Sequence, residues 1–449
     1  IVASAKAVLL PLQSAKSDKT ESIDGMTYSF DERANGMGVG EGAAAVLLKP
    51  LSAANNDGDY IYAVIRGSAV NQDGKTNGFT SPSPSAQADV IVNAWRDAQI
   101  NPSDVSYIEA HGSATALGDP IEIQGVTEAF ERFTTKRQFC AIGSVKANIG
   151  HLDHAAGLAG LIKVILMLNH KKIPPQKNFK YPNRRIPFHR SPVFVNDSFV
   201  SWNSPNKLRI CGVNSFGLTG TNCHVVVCEA EKQEFANSNL TPYLFTLTAH
   251  SRQAMRYQLN SIYSFISSCL SLPICNLCYT SNVSKRPDKY RVAFIVNSVP
   301  ELLQAMYDYH KNEITQKNKG IYVSETEDET EELALDQIES KQDTCRLIML
   351  HQLAENFVKC HSVNLLEQFA FQPKILPIPS DPFVKECCWI HPSDIEQRQD
   401  NNLVHTIKWE KSPLVIGGAN GRNKFNNEIL IIGDDSLISG IDQEHAMIY

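Results

Sequence analysis

The chain has 449 residues, 43% of them hydrophobic and 20% charged, with a formal net charge of −6. It is long enough to bury more than one core, and its slight acidity excludes the broad basic surface that a nucleic acid would require. The longest apolar stretch, Leu158 to Leu168, is broken by Gly160 and Lys163 and falls short of the roughly 18 to 20 residues a membrane-spanning helix needs, so no membrane segment is expected.

The opening Ile1-Val2-Ala3-Ser4 has neither an initiating methionine nor the basic region, apolar run and cleavage site of a signal peptide, and reads as cut from a longer protein. The cysteines number 11, irregularly spaced in a long chain, which favours reduced thiols and a cytoplasmic setting over a disulfide framework. In chain order, Gly42 to Leu48 and Tyr62 to Gly67 read as buried strands. Ser85 to Ala98 reads as an amphipathic helix, and Val105 to Ala110 as a short strand ending in a histidine loop. A helix over Asp119 to Phe130 is opened by Asp119-Pro120, and Phe139 to Ile142 reads as a buried strand. This alternation argues for a layered α/β core. A boundary is expected near 231–242, where composition shifts toward Asn, Ser, Lys and Glu. Beyond it, helices over Arg252 to Cys269 and Val299 to His310 flank a strand at Tyr290 to Val296, as in a small α/β module. Ser324 to Glu332 reads as a solvated loop. After Ile390 the sequence turns polar through Gln397 to Asn402, and a third domain begins, with Trp409 and an apolar strand at Glu428 to Gly433.

The chemistry gathers in three glycine-rich loops, where backbone can approach a ligand closely. They run from Glu109 to Thr115 with Gly118-Asp119-Pro120, from Ser144 to His151, and from Asn214 to His224. Two histidines and a lysine in such loops suit a site that stabilises developing negative charge, because imidazole N–H donors polarise a thioester or enolate oxygen. Ser113 and Thr115 offer hydroxyls to an amide-bearing arm. A lone histidine more often caps a turn or satisfies backbone, but three loops of this kind in one domain reverse that preference.

His111-Gly112-Ser113-Ala114-Thr115 with Gly118-Asp119-Pro120, Ser144-Val145-Lys146-Ala147-Asn148-Ile149-Gly150-His151, and Ser215-Phe216-Gly217 with Gly220-Thr221-Asn222 and His224 together resemble the C-terminal half of the β-ketoacyl synthases of modular polyketide synthases. Tyr28 to Gly36, Gly40-Glu41-Gly42 and Asn71 to Gly78 carry further family signatures, and the resemblance covers residues 1 to about 230. It implies a thiolase-like layered α/β fold and decarboxylative Claisen condensation of an acyl thioester with a malonyl unit on an acyl carrier protein. By the same resemblance His111 and His151 are the paired catalytic histidines, and Lys146 orients or charge-balances the site, paired with Glu122. The backbone of Phe216 and Gly217 forms an oxyanion hole and gate, Asn222 is supporting, and Ser113 and Thr115 bind the phosphopantetheine arm. No cofactor is expected on the chain itself. Implied partners are the carrier protein, the upstream part of the synthase and a second copy in a homodimer, with no nucleic acid and no membrane.

Three departures matter. Ala114 stands where glycine is common in the family; Asp153 and His154 replace less titratable residues, His154 reading as a surface residue. The Thr-Ala-Cys-Ser-Ser segment that carries the family's nucleophilic thiolate is also absent, and the first cysteine, Cys140, lies in a strand. The nucleophile is expected upstream, so that the chain alone is inactive; a degenerate parent is the alternative. Residues 240–392 resemble the linker that follows polyketide ketosynthases, with Thr246 to Ser251 opening it, a turn at Tyr279 to Asn282, a strand at Arg291 to Phe294, a helix at Leu353 to Val358 and an extended Leu376 to Phe383 with Cys388 to Ile390. No acyltransferase signature intervenes, as in synthases served by a free-standing acyltransferase. Residues 403–449 resemble the start of a ketoreductase structural subdomain, and Gly417 to Gly421 lacks dinucleotide-binding spacing. Cys275 and Cys278 have no second pair at zinc-site spacing, and Cys387-Cys388 is adjacent, so no metal is expected. The competing function is a noncatalytic scaffold or non-elongating gatekeeper that binds acyl carrier protein; retention of both His111 and His151 argues against it.

Overall fold

The computed structural model describes residues 1–7, 20–76, 78, 80–204, 208–233, 235, 240–284, 288–312, 316, 319–324, 341–380, 429–431 and 446–448. The chain divides into two compact units, Ile1–Val384 and Lys385–Tyr449. The first unit begins with β1 (Val2–Lys6), β2 (Gly42–Val46), α1 (Leu51–Asn56), β3 (Ala63–Gln72), α2 (Pro84–Asp97), β4 (Val105–Glu109), α3 (Gly118–Glu131), β5 (Cys140–Gly143), the short α4 (Lys146–Ile149) and α5 (Ala156–His170). It continues through β6 (Lys172–Ile173), β7 (Val193–Val195), β8 (Val200–Ser201), β9 (Ile210–Phe216) and β10 (Thr221–Glu229).

Local chemistry sets these boundaries. Ser83 caps α2 by accepting from the Ala86 N–H, with Pro84 in the first turn where no amide bond is lost. At the start of α3 the Thr115 hydroxyl accepts from the Gly118 N–H at 3.1 Å. Six strands form the central sheet in the order β3-β10-β9-β4-β5-β7. β10 runs antiparallel to β3 and β9, whereas β9, β4, β5 and β7 are mutually parallel. One face buries Trp95, Ile91, Ile108, Val126 and Phe130 beneath α2 and α3; the other buries Tyr107, Val164, Leu168 and Trp202 beneath α5. Each fully buried aliphatic side chain stabilises such a core by roughly 1.5–3 kcal/mol.

The parallel run has a functional consequence. His111 follows β4, Lys146 follows β5 and Phe216 ends β9, so all three leave the sheet at the carboxyl ends of adjacent parallel strands, where open α/β sheets form their crevices.

The first unit ends in a second layered module, built from β11 (Tyr243–Ala249), α6 (Arg252–Ser268), α7 (Ile274–Val283), β12 (Tyr290–Val296), α8 (Val299–Asn312), β13 (Ile321–Val323) and α9 (Lys341–Val358). Its antiparallel sheet β11-β12-β13 packs Phe245, Leu247 and Phe294 against α6 and α8, and Leu244, Ala293 and Ile295 against α9. Residues 372–376 then return to the first module: the Ile375 N–H donates to Gly58 O at 2.8 Å and the Gln372 amide to Asp57 O at 3.0 Å. In the second unit, β14 (Ile429–Ile431) and β15 (Ala446–Ile448) pair in parallel, the former inside the strand expected at Glu428 to Gly433.

Some expectations need correction. The strands expected to be buried at 42–48 and 62–67 are not: β2 alternates exposed and half-buried residues because it pairs only with β1, and β3 extends to Gln72 as the outer strand of its sheet. The turn expected at Tyr279 to Asn282 is the last part of helix α7. Its polar side chains find partners that helix geometry permits: the Thr280 hydroxyl donates back to Asn276 O at 2.7 Å, and Asn282 Oδ1 accepts from Thr246 at 2.8 Å. Segments 325–332, 381–390, 397–402, Trp409, Gly417 to Gly421 and Cys387-Cys388 lie outside the described residues.

Candidate active site

The site is built on Glu122, a buried carboxylate in the first turns of α3. Its Oε1 accepts from the His111 N–H at 2.8 Å and from the Asn214 amide at 2.9 Å, and its Oε2 accepts from the Gly112 N–H at 2.8 Å. One side chain thereby ties the loop after β4 to β9. Burial pushes the Glu122 pKa up, against the pull of these donors and of Lys146.

The loops also touch directly. Gly112 has φ +46°, and a Cβ there would lie 2.7 Å from Ser144 Cβ, so the loops after β4 and β5 meet across a space only glycine leaves. Gly40 makes the same kind of room near His151. A Cβ on Gly40 would lie 2.1 Å from Ile149 O, and the His151 N–H donates to Gly38 O at 2.7 Å. Ala114 is fully buried at φ +58°, held by an N–H bond to Asp119 Oδ1 at 2.9 Å and by the Gly36 N–H at its carbonyl.

His111 and His151 come together with ring centroids 5.4 Å apart, nearly perpendicular. In both rings Nδ1 accepts a backbone N–H, from Phe216 at 3.3 Å for His111 and from Asp153 at 2.9 Å for His151. A neutral imidazole has one acceptor nitrogen and one donor, so these bonds assign the remaining proton of each ring to Nε2; at His151 the Asp153 N–H at 2.9 Å decides this over the Asp153 Oδ1 that lies 3.3 Å from the same Nδ1. Both rings stay neutral. Burial, then the Lys146 charge, then His151 hold the His111 pKa well below its ordinary value. Burial and Lys146 bring His151 to about 4, against the opposing pull of Asp153.

Lys146 is buried at the start of α4, and burial lowers its pKa while Glu122, Glu109 and Asp119 act against that fall. Among the described residues it makes no ion pair at contact distance, so the pairing expected with Glu122 is a field effect and not a direct bridge. The Phe216 ring lies 6.0 Å from His111, but the amides expected to form the oxyanion hole are engaged: that of Phe216 by His111 Nδ1, and that of Gly217 by Thr221 O at 2.7 Å in the β9–β10 turn. The Ser113 and Thr115 hydroxyls lie 3.1 Å apart, the second also capping α3. Asn222 sits beside this turn, donating to Asp73 Oδ1 at 2.7 Å and to Asn71 Oδ1 at 3.2 Å. His154 is exposed.

Three family models match in chain order: the N-terminal domain of β-ketoacyl synthase over residues 2–54, its C-terminal domain over 62–180, and the ketoacyl-synthetase C-terminal extension over 182–295. The chain belongs to the β-ketoacyl synthases. This ketosynthase chain is 36% identical over 384 residues to Polyketide synthase PksL of Bacillus subtilis (strain 168), covering 82% of this chain and 8% of that protein. It is 33% identical over 402 residues to Polyketide synthase PksM of the same organism, covering 86% of this chain and 9% of the relative. Among solved structures, the ketosynthase from module 6 of the bacillaene synthase from Bacillus subtilis 168 matches with TM-score 0.70 and 34% identity, over 82% of this chain and 66% of that one. The chain thus spans under a tenth of the first polyketide synthase it matches and just under two thirds of that solved ketosynthase. The thiolase-like layered fold expected from the motifs is the fold shared with these ketosynthases.

Within the same motifs, the ketosynthase site contains groups to which sequence reasoning assigned no part in the site. Glu109 is buried, takes the Val145 N–H at 2.6 Å and pairs with Lys163 at 2.7 Å, so it grips the backbone just before Lys146. Asp119 holds the Phe30 and Ala114 N–H groups, while burial raises its pKa to about 7. Asn214 carries the bond that joins β9 to Glu122. Their places inside the quoted motifs were the available signal. The thiols of Cys140, Cys211 and Cys278 are held protonated by burial, far from the behaviour of a nucleophile. Cys275 and Cys278 are free thiols in the core of the second module.

Proposed function

We propose that this chain supplies the His/His/Lys part of a condensing site, which elongates a polyketide by decarboxylative Claisen condensation of an acyl thioester with a malonyl unit on acyl carrier protein. The observation that carries the reading is the pair of neutral imidazoles 5.4 Å apart, each with Nδ1 committed to a backbone amide and Nε2–H left as donor. Two such donors at a malonyl thioester oxygen stabilise the charge that develops as the bond to the carboxylate breaks. Carbon dioxide leaves, and the electron pair stays on the enolate. Burial, reinforced by the Lys146 charge, keeps both rings neutral, and Phe216 serves the oxyanion site by fixing the His111 tautomer and gating with its ring.

Ser113 and Thr115 receive the phosphopantetheine arm of the carrier protein. The enolate would attack an acyl group on the thiolate of a Thr-Ala-Cys-Ser-Ser segment, which this sequence does not contain, so the chain alone completes no condensation. We assign residues 1–235 to the ketosynthase, 240–392 to its linker and 403–449 to the start of a ketoreductase structural subdomain. The setting is a cytoplasmic, homodimeric synthase served by a free-standing acyltransferase; among the described residues no helix is long and apolar enough to cross a membrane.

Decarboxylation needs no nucleophile, which makes it the direct test. With malonyl-N-acetylcysteamine the chain is expected to release carbon dioxide, and His111→Ala or His151→Ala to cut the rate by about 10²-fold or more. Equal release by the chain and both variants would sink the proposal and leave the carrier-protein scaffold as the reading.

A further inference from the structure

His224 is fully buried on β10, in the motif that also holds Asn222, and the mechanism above does not use it. It stands opposite Asn214 in the β9–β10 ladder, with Nδ1 2.6 Å from Asn214 Oδ1. Gly212, two residues before Asn214, makes the space: a Cβ there would lie 2.5 Å from His224 Cε1 and 2.8 Å from Nε2. From Asn214 the chain of bonds continues through its amide nitrogen to Glu122 Oε1 at 2.9 Å, and from Glu122 to the His111 and Gly112 N–H groups.

The donor and acceptor roles follow without choice. Both Glu122 oxygens accept backbone N–H groups, from His111 and Gly112, and Oε1 also takes the Asn214 NH₂, so Asn214 turns its Oδ1 to His224. His224 must then donate through Nδ1–H. We infer that His224 is a positioning residue for the condensing site: it locks the orientation of the Asn214 amide, and through it holds Glu122 as the charged acceptor that anchors the His111 loop and faces Lys146. Without the Nδ1–H donor the amide is free to flip and set Oδ1 against the carboxylate, two acceptors in contact. Burial alone holds His224 near pKa 3, so its donor role does not change over the pH range in which the enzyme would work. The charged or titratable groups acting on Glu122 are Lys146 and Asp119, and neither belongs to β9 or β10.

The inference rests on the proposed decarboxylation only for one of its two readouts. The whole chain, His224→Leu, His224→Asn and Asn214→Asp are compared by ¹³C titration of the Glu122 carboxyl and by carbon dioxide release from malonyl-N-acetylcysteamine. His224→Leu is expected to move the Glu122 titration upward and to slow release on the order of tenfold. His224→Asn, whose amide N–H occupies the place of Nδ1–H, is expected to restore both. Asn214→Asp keeps an acceptor for His224 but removes the donor to Glu122, and is expected to reproduce the leucine effect; it carries the test if His224→Leu does not fold. An unmoved Glu122 titration in the folded leucine or aspartate variant, or an asparagine variant no better than leucine, overturns the relay. If the unaltered chain releases no carbon dioxide while Glu122 still follows the variants, the decarboxylation reading fails and the relay stands.

Discussion

His111 and His151 are neutral donors because two independent causes agree. Burial and the Lys146 ammonium both disfavour a second proton, and backbone amides at Nδ1 leave only Nε2 to carry the first. With the folded His151 pKa near 4, below the unfolded value, the unfolded chain binds more protons between about pH 6.5 and 4. Stability from this residue is therefore full above about pH 6.5 and declines as pH falls toward 4. ¹⁵N spectra of the imidazoles at pH 6 are expected to show an unprotonated Nδ1 and a protonated Nε2 in both rings. A His151 ring that titrates near 6.5 would contradict the burial argument.

At the scale of elements, the site exists because β4, β5 and β9 are parallel neighbours whose following loops emerge at one edge. The contact between two of those loops is made through Gly112, at φ +46° and with no space for a methyl against Ser144. Gly112→Ala is expected to cost about 1–3 kcal/mol of stability. It should also reduce decarboxylation by more than the unfolded fraction explains, because the push falls on the backbone between His111 and Ser113. Chemical denaturation and single-turnover assays on the folded fraction separate the two effects. A fully active, equally stable variant would mean that the loops do not meet as described.

At the scale of the whole first unit, distant segments are joined by buried carboxylates as well as by apolar packing. Asp31 has no exposed side-chain surface and accepts from the Lys180 and Tyr181 N–H groups at 2.6 and 2.9 Å and from the Arg33 side chain at 2.7 Å. Burial alone would raise its pKa, but the Arg33 side chain and the backbone donors outweigh that and draw it down to about 2. A folded pKa below the unfolded value means that the stabilisation is complete above about pH 4 and is lost as pH falls through about 2. Asp31→Asn should lower stability at pH 7 and flatten the acid limb of a stability curve between those values. An unchanged acid limb would count against this tie.

The sequence by itself determined the family, the layered α/β class and which residues meet: the order of three loop motifs named His111, Lys146, His151 and Phe216, and the structure brings three of them into ring contact or direct hydrogen bonding and buries the fourth within their field. Such residues are legible because a motif states a residue type and a spacing together. Tertiary structure alone decided what each group does there. Lys146 reaches Glu122 through its field without touching it, the Phe216 amide is spent on an imidazole, and residues 279–282 lie in a helix where the resemblance to a linker suggested a turn. The motifs contained Glu109, Asn214 and His224 but did not say what each of them binds. A buried polar group is defined by the partner that satisfies it, and that partner lies on another strand or helix whose approach no local pattern records.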